Sequence, residues 1–173
     1  MNNMAVLDTG FLISLVDRNR QFHKAARSYY KYFLENSVVM LLPTVVVAEF
    51  SIVQPITDLP LRNFRVLPFN LPEAVKCAEL NVHHYRKHLG NAGQRDAVKD
   101  DFKIIAQAVV QQARLLVTED ETTLCKYCER LTADRKIEFR VVKLSAGFDE
   151  ALVNKDGQRG LLPPEQPPEQ PPG

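Results

Sequence analysis

The residues most able to do chemistry in this chain are four acids, Asp8, Glu49, Asp101 and Asp120, standing where a stable fold prefers apolar side chains. Asp8 directly follows the apolar run MAVL (4–7), and Asp120 ends the stretch LLVTED (115–120). Glu49 has Val45 and Val46 at i−4 and i−3, and Ile52 and Val53 at i+3 and i+4. On a helix that spacing puts it on the apolar side. Asp101 heads a stripe of Ile104, Ile105 and Ala108, whereas Asp100 has Lys103 and Gln107 at the matching offsets and should look to solvent. Taken singly, each acid has an ordinary explanation. Asp8 or Asp120 could cap a following helix, Asp101 could favour a positive helix N-terminus, and Glu49 could sit in a buried ion pair. Taken together they raise a different question, because like charges about 4 Å apart repel by roughly 4 kcal/mol at an effective dielectric near 20. The usual resolutions are raised pKa values or a bound cation. Hard divalent ions such as Mg2+ or Mn2+ take oxygen ligands and keep waters for substrate phosphates. The chemistry expected of such a site is metal-assisted phosphodiester hydrolysis.

The elements that must position these acids follow from the apolar pattern. Residues 4–7 read as a buried strand feeding a helix over about 10–17, with a second helix over 22–35. VVMLL (38–42) is another continuous apolar strand, and Pro43-Thr44 open a helix to about Val53. A short strand is expected at 64–69, a long helix from Pro72 to about Leu89, and a loop at GNAGQRD (90–96). A helix over about 100–113, a strand at 115–117, a helix over about 120–132 and a strand at 139–144 complete the pattern. Apolar strands without alternation, interleaved with helices, predict an α/β sandwich: a central, mainly parallel sheet flanked by helices. In open sheets of this kind ligands bind outside the carboxyl ends of the strands, where Asp8 and Asp120 fall.

At 173 residues the chain fits one domain with a real core, and 45% hydrophobic with 25% charged residues is the balance of a water-soluble fold. No apolar run approaches bilayer length, and MNNMAVLD lacks the pattern of a secretory signal. Three cysteines make no disulfide framework, so a reducing cytoplasm is expected, with no membrane partner. The net charge of +1 neither supports nor excludes nucleic acid, which would have to be met by a local patch. Arg86, Lys87, Arg95 and Lys99, running up to Asp101, are the candidate phosphate contacts. The end of the chain differs in kind: LLPPEQPPEQPPG (161–173) repeats a PPEQ unit and suits extended polyproline II or disorder. A domain at 1–149 with a proline-rich tail at 150–173 is expected.

LDTGFL (7–12), PTVVVAEF (43–50), DFKIIAQA (101–108) and LLVTED (115–120) resemble, in order and spacing, the motifs of the PIN domain, most of all the single-domain prokaryotic type that includes VapC-like toxins. DRNRQFHKAA (17–26) also resembles the segment after the first motif, so that the resemblance spans about 4–143. It implies a Rossmann-like sandwich, a Mg2+- or Mn2+-dependent endoribonuclease, frequent homodimers and, for the toxin type, a small antitoxin. Asp8, Glu49, Asp101 and Asp120 fall on the family's acidic positions, and Thr9 and Thr118 on its hydroxyl positions. Thr9 would orient a metal-bound water or the first carboxylate, or else begin the helix. Two departures stand out. Gly10 occupies a position where Asn or Ser is common, and Glu121, Thr122 and Thr123 replace the Asp and Phe that often follow the fourth acid. Glu119 or Glu121 is accordingly an alternative to Asp120.

Other constellations carry less. Cys125 and Cys128 form a CxxC, but zinc would need Cys77 or a histidine among His83, His84 and His88, and Cys128 falls in a helical apolar stripe with Leu124 and Leu131. His84 and His88 share a helix face without the glutamate of a metalloprotease motif. No phosphate-cradling glycine loop is present, and a haloacid-dehalogenase-type phosphatase would want an acid at Gly10. Two rivals to a toxin nuclease remain: a catalytically weak PIN-fold module that binds nucleic acid or protein, and a housekeeping RNA-processing nuclease.

Overall fold

The computed structural model describes residues 2–89 and 95–154, and of 86–89 and 95–98 only the backbone. Five strands form one sheet in the order β3-β2-β1-β4-β5, with every neighbouring pair parallel. They are β1 (Asn2–Leu7), β2 (Val39–Pro43), β3 (Phe64–Leu67), β4 (Ala113–Thr118) and β5 (Arg140–Lys143). The three central strands are buried over nearly their whole length, as their unbroken apolar runs require. The edge strands β3 and β5 carry exposed residues.

The helices flanking the sheet are α1 (Thr9–Val16), α2 (His23–Glu35), α3 (Thr44–Val53), α4 (Leu71–Glu79), α5 (Val82–Leu89), α6 (Arg95–Val110), α7 (Leu124–Ala133) and α8 (Glu150–Val153). From β1 the chain moves outward through β2 to β3, then returns through α4, α5 and α6 to lay β4 on the other side of β1. The strand order reverses between β1 and β4, which opens a crevice at their carboxyl ends. Leu7 pairs with Val117, and the Asp8 amide donates to the Val117 carbonyl at 3.1 Å, so the two strands end side by side at that crevice.

Several expectations about the elements need correction. The single helix expected over 72–89 is two, because Asn81 adopts a left-handed backbone (φ 56) between α4 and α5. Asparagine tolerates that conformation well, and here it also receives the His84 amide on its carbonyl. α6 begins at Arg95, inside the stretch expected to be a loop, and ends at Val110 ahead of a left-handed Gln112 (φ 51). α7 starts at Leu124 instead of 120, because residues 120–123 form a hydrogen-bonded turn around the Asp120 carboxylate. Of the segment expected to be a tail, residues 150–153 form α8. Its Val153 is buried, and Arg114 donates to the carbonyls of Val153 (2.6 Å) and Asn154 (3.4 Å). Residues 155–173, with the PPEQ repeat, lie outside the described residues. No helix among the described residues is long and apolar enough to cross a membrane.

The core lies on the sheet. Phe11, Leu12 and Leu15 of α1, Val46 and Phe50 of α3, and Ile104, Ile105 and Ala108 of α6 are all buried. Phe102, fully buried, meets the Tyr127 ring edge-on at 5.0 Å and lies 6.2 Å from Tyr85. That packing fixes the face of α6 from which Asp101 projects.

Candidate metal and catalytic centre

Asp8 is the first residue beyond β1 and is 8% exposed. Its Oδ2 accepts a hydrogen bond from the Thr118 hydroxyl at 2.7 Å, and the same hydroxyl accepts from the Asp120 amide at 2.9 Å. Thr118, fully buried at the end of β4, thus links the first and fourth acids through one oxygen. Burial pushes the Asp8 carboxyl up to about 6 against the opposing pull of that hydrogen bond.

Asp101 comes from the body of α6 and is 9% exposed. Its Oδ2 is buried and has no hydrogen-bond partner among the described residues. Burial is the main reason its carboxyl rises to about 8, opposed by the Thr123 hydroxyl and assisted by the charges of Asp8, Asp120 and Glu49. Asp100 pairs instead with Lys103 at 2.7 Å, as its offset on the helix predicts.

Glu49 is half-buried at the rim, and its Oε2 accepts from the Thr9 hydroxyl. The Thr9 hydroxyl therefore serves the second acid of the set, while its backbone amide meets the first. The expectation that Glu49 lies on the core face of its helix is wrong. The buried residues of α3 are Val46 and Phe50, whereas Ile52 and Val53 are 86% and 60% exposed. Apolar residues occur on every side of this helix, so periodicity alone cannot pick the face.

Asp120 lines the same cleft but is heavily engaged. It accepts from the amides of Thr122 (2.7 Å), Thr123 (3.0 Å) and Leu124 (3.3 Å) and from the hydroxyls of Thr122 and Thr123. Burial works to raise its carboxyl, but these donors together hold it below the usual range. The capping explanation therefore describes Asp120 well. The two glutamates that could replace it are also occupied: Glu119 accepts from Ser14 and pairs with Arg20, and Glu121 accepts from Ser145.

Asp8, Glu49, Asp101, Glu119, Asp120 and Glu121 all line one open cleft at the carboxyl edge of the sheet. Among the described residues no three His, Cys, Asp or Glu side chains are grouped so as to encage an ion. A small hard cation does not require that, since it is commonly held by one or two carboxylates and retains waters elsewhere. An all-oxygen donor set with a buried, unpartnered carboxylate oxygen on Asp101 beside Asp8 fits such an ion. It does not fit zinc, for Cys125 and Cys128 are buried apolar thiols, Cys125 raised by burial to about 12.

Of the candidate phosphate contacts, Lys99 is exposed on α6, while the side chains of Arg86, Lys87 and Arg95 lie outside the described residues. Two groups that bind the cleft residue Glu119 went unselected from sequence, Ser14 and Arg20. Arg20 sits in the DRNRQFHKAA segment, where its charge and its turn position were the only available signal.

No family model matches this sequence, and no curated protein matches it significantly. Solved structures do. The chain is similar to one in VapBC2 from Rickettsia felis bound to a DNA fragment from their promoter, with a TM-score of 0.53 and 14% identity over 81% of this chain and 98% of that one. It is also similar to one in DNA-bound VapBC from Salmonella typhimurium, with a TM-score of 0.50 and 15% identity over 82% and 98%. At such identities the likeness is one of architecture, and the chain has a VapC-like PIN fold.

Proposed function

We propose that this protein is a divalent-metal-dependent endoribonuclease that uses Mg2+ or Mn2+ to hydrolyse RNA phosphodiester bonds. The observation that carries the reading is the buried Asp101 Oδ2, without a hydrogen-bond partner among the described residues, on a residue that lines an acidic cleft together with Asp8 at the strand ends. Asp8 and Asp101 are the residues that would hold the ion directly. Glu49 and Asp120 complete the negative field. When bound, such an ion supplies a water of lowered pKa and stabilises charge on the scissile phosphate.

The chain's own residues do the positioning. Thr118 fixes the Asp8 carboxylate through Oδ2, and Thr9 fixes Glu49 through Oε2. The Asp8 carboxylate is also met by the Thr9 backbone amide, which holds its orientation toward the cleft. The donors around Asp120 keep its charge in place at neutral pH, so it acts on the site as a fixed negative group. The likeness to VapBC chains supports a two-protein setting, in which this chain is the toxin and a small antitoxin is encoded beside it. A homodimer, the usual state for the resemblance, is the expected assembly and is tested by light scattering.

Purified protein should cleave single-stranded or structured RNA with Mn2+ or Mg2+, and lose that activity with EDTA or as Asp8→Asn. Activity surviving both controls would sink the mechanism. Toxicity on expression, relieved by co-expressing the neighbouring small gene, separates a toxin from a housekeeping nuclease. A second reading is favoured by one observation, the saturation of Asp120 by five donors: a PIN-fold module that binds RNA or protein without turnover. Calorimetry showing no Mn2+ binding alongside intact RNA binding would select it.

A further inference from the structure

We infer that Arg20 is a substrate-contacting residue whose guanidinium, tethered by Glu119 to the wall of the acidic cleft, takes a phosphate of the strand being cut; this role rests on the nuclease reading of the cleft. The turn that carries it is fixed at both ends. The Asn19 amide donates to the Asp17 carboxylate at 2.9 Å and the Arg20 amide to the Asp17 carbonyl at 3.2 Å. On the far side the His23 amide donates to the Arg20 carbonyl at 3.1 Å, and the His23 ring meets the Ser14 carbonyl at 2.9 Å. A surface turn with so many bonds presents its side chain at little further entropic cost.

The side chain itself is held from below. Glu119 lines the cleft and uses one carboxylate oxygen for Arg20 and the other for the Ser14 hydroxyl. Gly10 leaves room for this arrangement, since a Cβ at that position would lie 3.1 Å from the Glu119 Cβ and 3.3 Å from its Cγ. The Asn or Ser common there in the resembling family would crowd the glutamate. The departure at Gly10 thus makes room for Glu119, and the consequence is a cation bound to the wall of the site.

Chemistry then suggests the occupant. A guanidinium has five N–H donors in a planar fork suited to phosphate. Arg20 is bound to Glu119 through Nη2, and its side chain is 40% exposed. The cleft beyond it is lined by six acids and would repel a polyanion in the absence of compensating cations. The rival is that Arg20 only neutralises Glu119, and a double variant separates the two.

The test uses a fluorescein-labelled single-stranded RNA, with binding read by anisotropy in Ca2+ and cleavage read separately in Mn2+. Arg20→Ala should weaken binding and raise KM roughly tenfold, with the loss falling on KM more than on kcat. The slope of log K against log salt should shrink by about 0.7. Arg20→Lys should recover part of the binding, and Glu119→Gln added to Arg20→Ala should recover none. Unchanged binding in Arg20→Ala, or full recovery in the double variant, overturns the assignment. Thermal melting and circular dichroism confine the comparison to folded variants, and Arg20→Lys retains the charge if alanine unfolds the turn. If the wild type cleaves nothing yet Arg20→Ala still weakens binding, the nuclease reading falls and the phosphate contact stands. Cleavage by the wild type with Arg20→Ala unaffected gives the reverse.

Discussion

Thr118 illustrates how much of this cleft depends on single hydroxyls. It is fully buried, accepts from the Asp120 amide and donates to Asp8 Oδ2. Valine has nearly its shape but neither function. Thr118→Val should cost about 1–3 kcal/mol, the penalty of leaving buried polar groups unpaired. It should also remove an influence that lowers the Asp8 carboxyl, sending it above its present value of about 6 and setting protons in stronger competition with a metal. Urea unfolding and Mn2+ calorimetry near neutral pH check both effects, with Thr118→Ser retaining most of the wild-type behaviour. Equal stability and equal Mn2+ affinity in the valine variant would contradict the linkage.

Among the elements, α8 is small enough to need outside support, and two arginines supply it. Arg114 of β4 donates to the carbonyls of Val153 and Asn154 and to the Asn3 side chain, while Arg140 of β5 donates to those of Ala151 and Leu152. Cations at a helix C-terminus meet its unpaired carbonyls and the negative end of its dipole. Burial lowers the Arg114 pKa, and its Nε is buried without a partner among the described residues, so the residue costs something to keep there. Arg114→Met should free α8, speeding amide hydrogen exchange over 150–153 and costing about 1–3 kcal/mol of global stability. RNA cleavage should not change, because Arg114 lies near the start of β4 and the cleft lies beyond its end. Loss of cleavage in a folded Arg114→Met protein would show that α8 reaches the site.

On the scale of the whole molecule, the acidic cleft should make stability depend on pH and on metal in a defined direction. Asp8 and Asp101 ionise near 6 and near 8 in the fold, against an ordinary 3.8. Between those limits the unfolded chain holds fewer protons than the folded one, so the metal-free protein loses stability as pH rises. That contribution is complete below the ordinary carboxylate range and declines through pH 6 and then pH 8. Asp120, held low, acts in the opposite sense only in acid. A cation that binds only the folded state adds about 2.7 kcal/mol at a hundred times its Kd, and most at the higher pH where it faces no proton. Melting temperatures at about pH 5 and about pH 8, in EDTA and in Mn2+, test this. In EDTA, Asp101→Asn should flatten the slope. A metal-free melting temperature that climbs between those two pH values would refute the direction.

The alternation of apolar strands with helices, and the acids that end β1 and β4, were legible in the sequence because both are local signals. A continuous apolar run can be satisfied only by a strand or helix buried on all sides, and the residue just past such a strand must emerge at the sheet edge. The parallel sheet and the positions of Asp8 and Asp120 at its carboxyl end followed from that. Other features were decided between residues far apart in the chain. Thr118 and Asp8, Thr9 and Glu49, and Arg20 and Glu119 are joined by bonds spanning 110, 40 and 99 residues. No local pattern says which carboxylate oxygen such a partner will take. Hence the sequence could bring four acids to one edge, but only the tertiary structure leaves an Asp101 oxygen unpartnered while committing both oxygens of Asp120 to the turn before α7. The same reason separates the exposed Ile52 and Val53 from the buried Val46 and Phe50 on a helix that is apolar all round. Which side is covered depends on what packs against it, and that is a property of the folded chain.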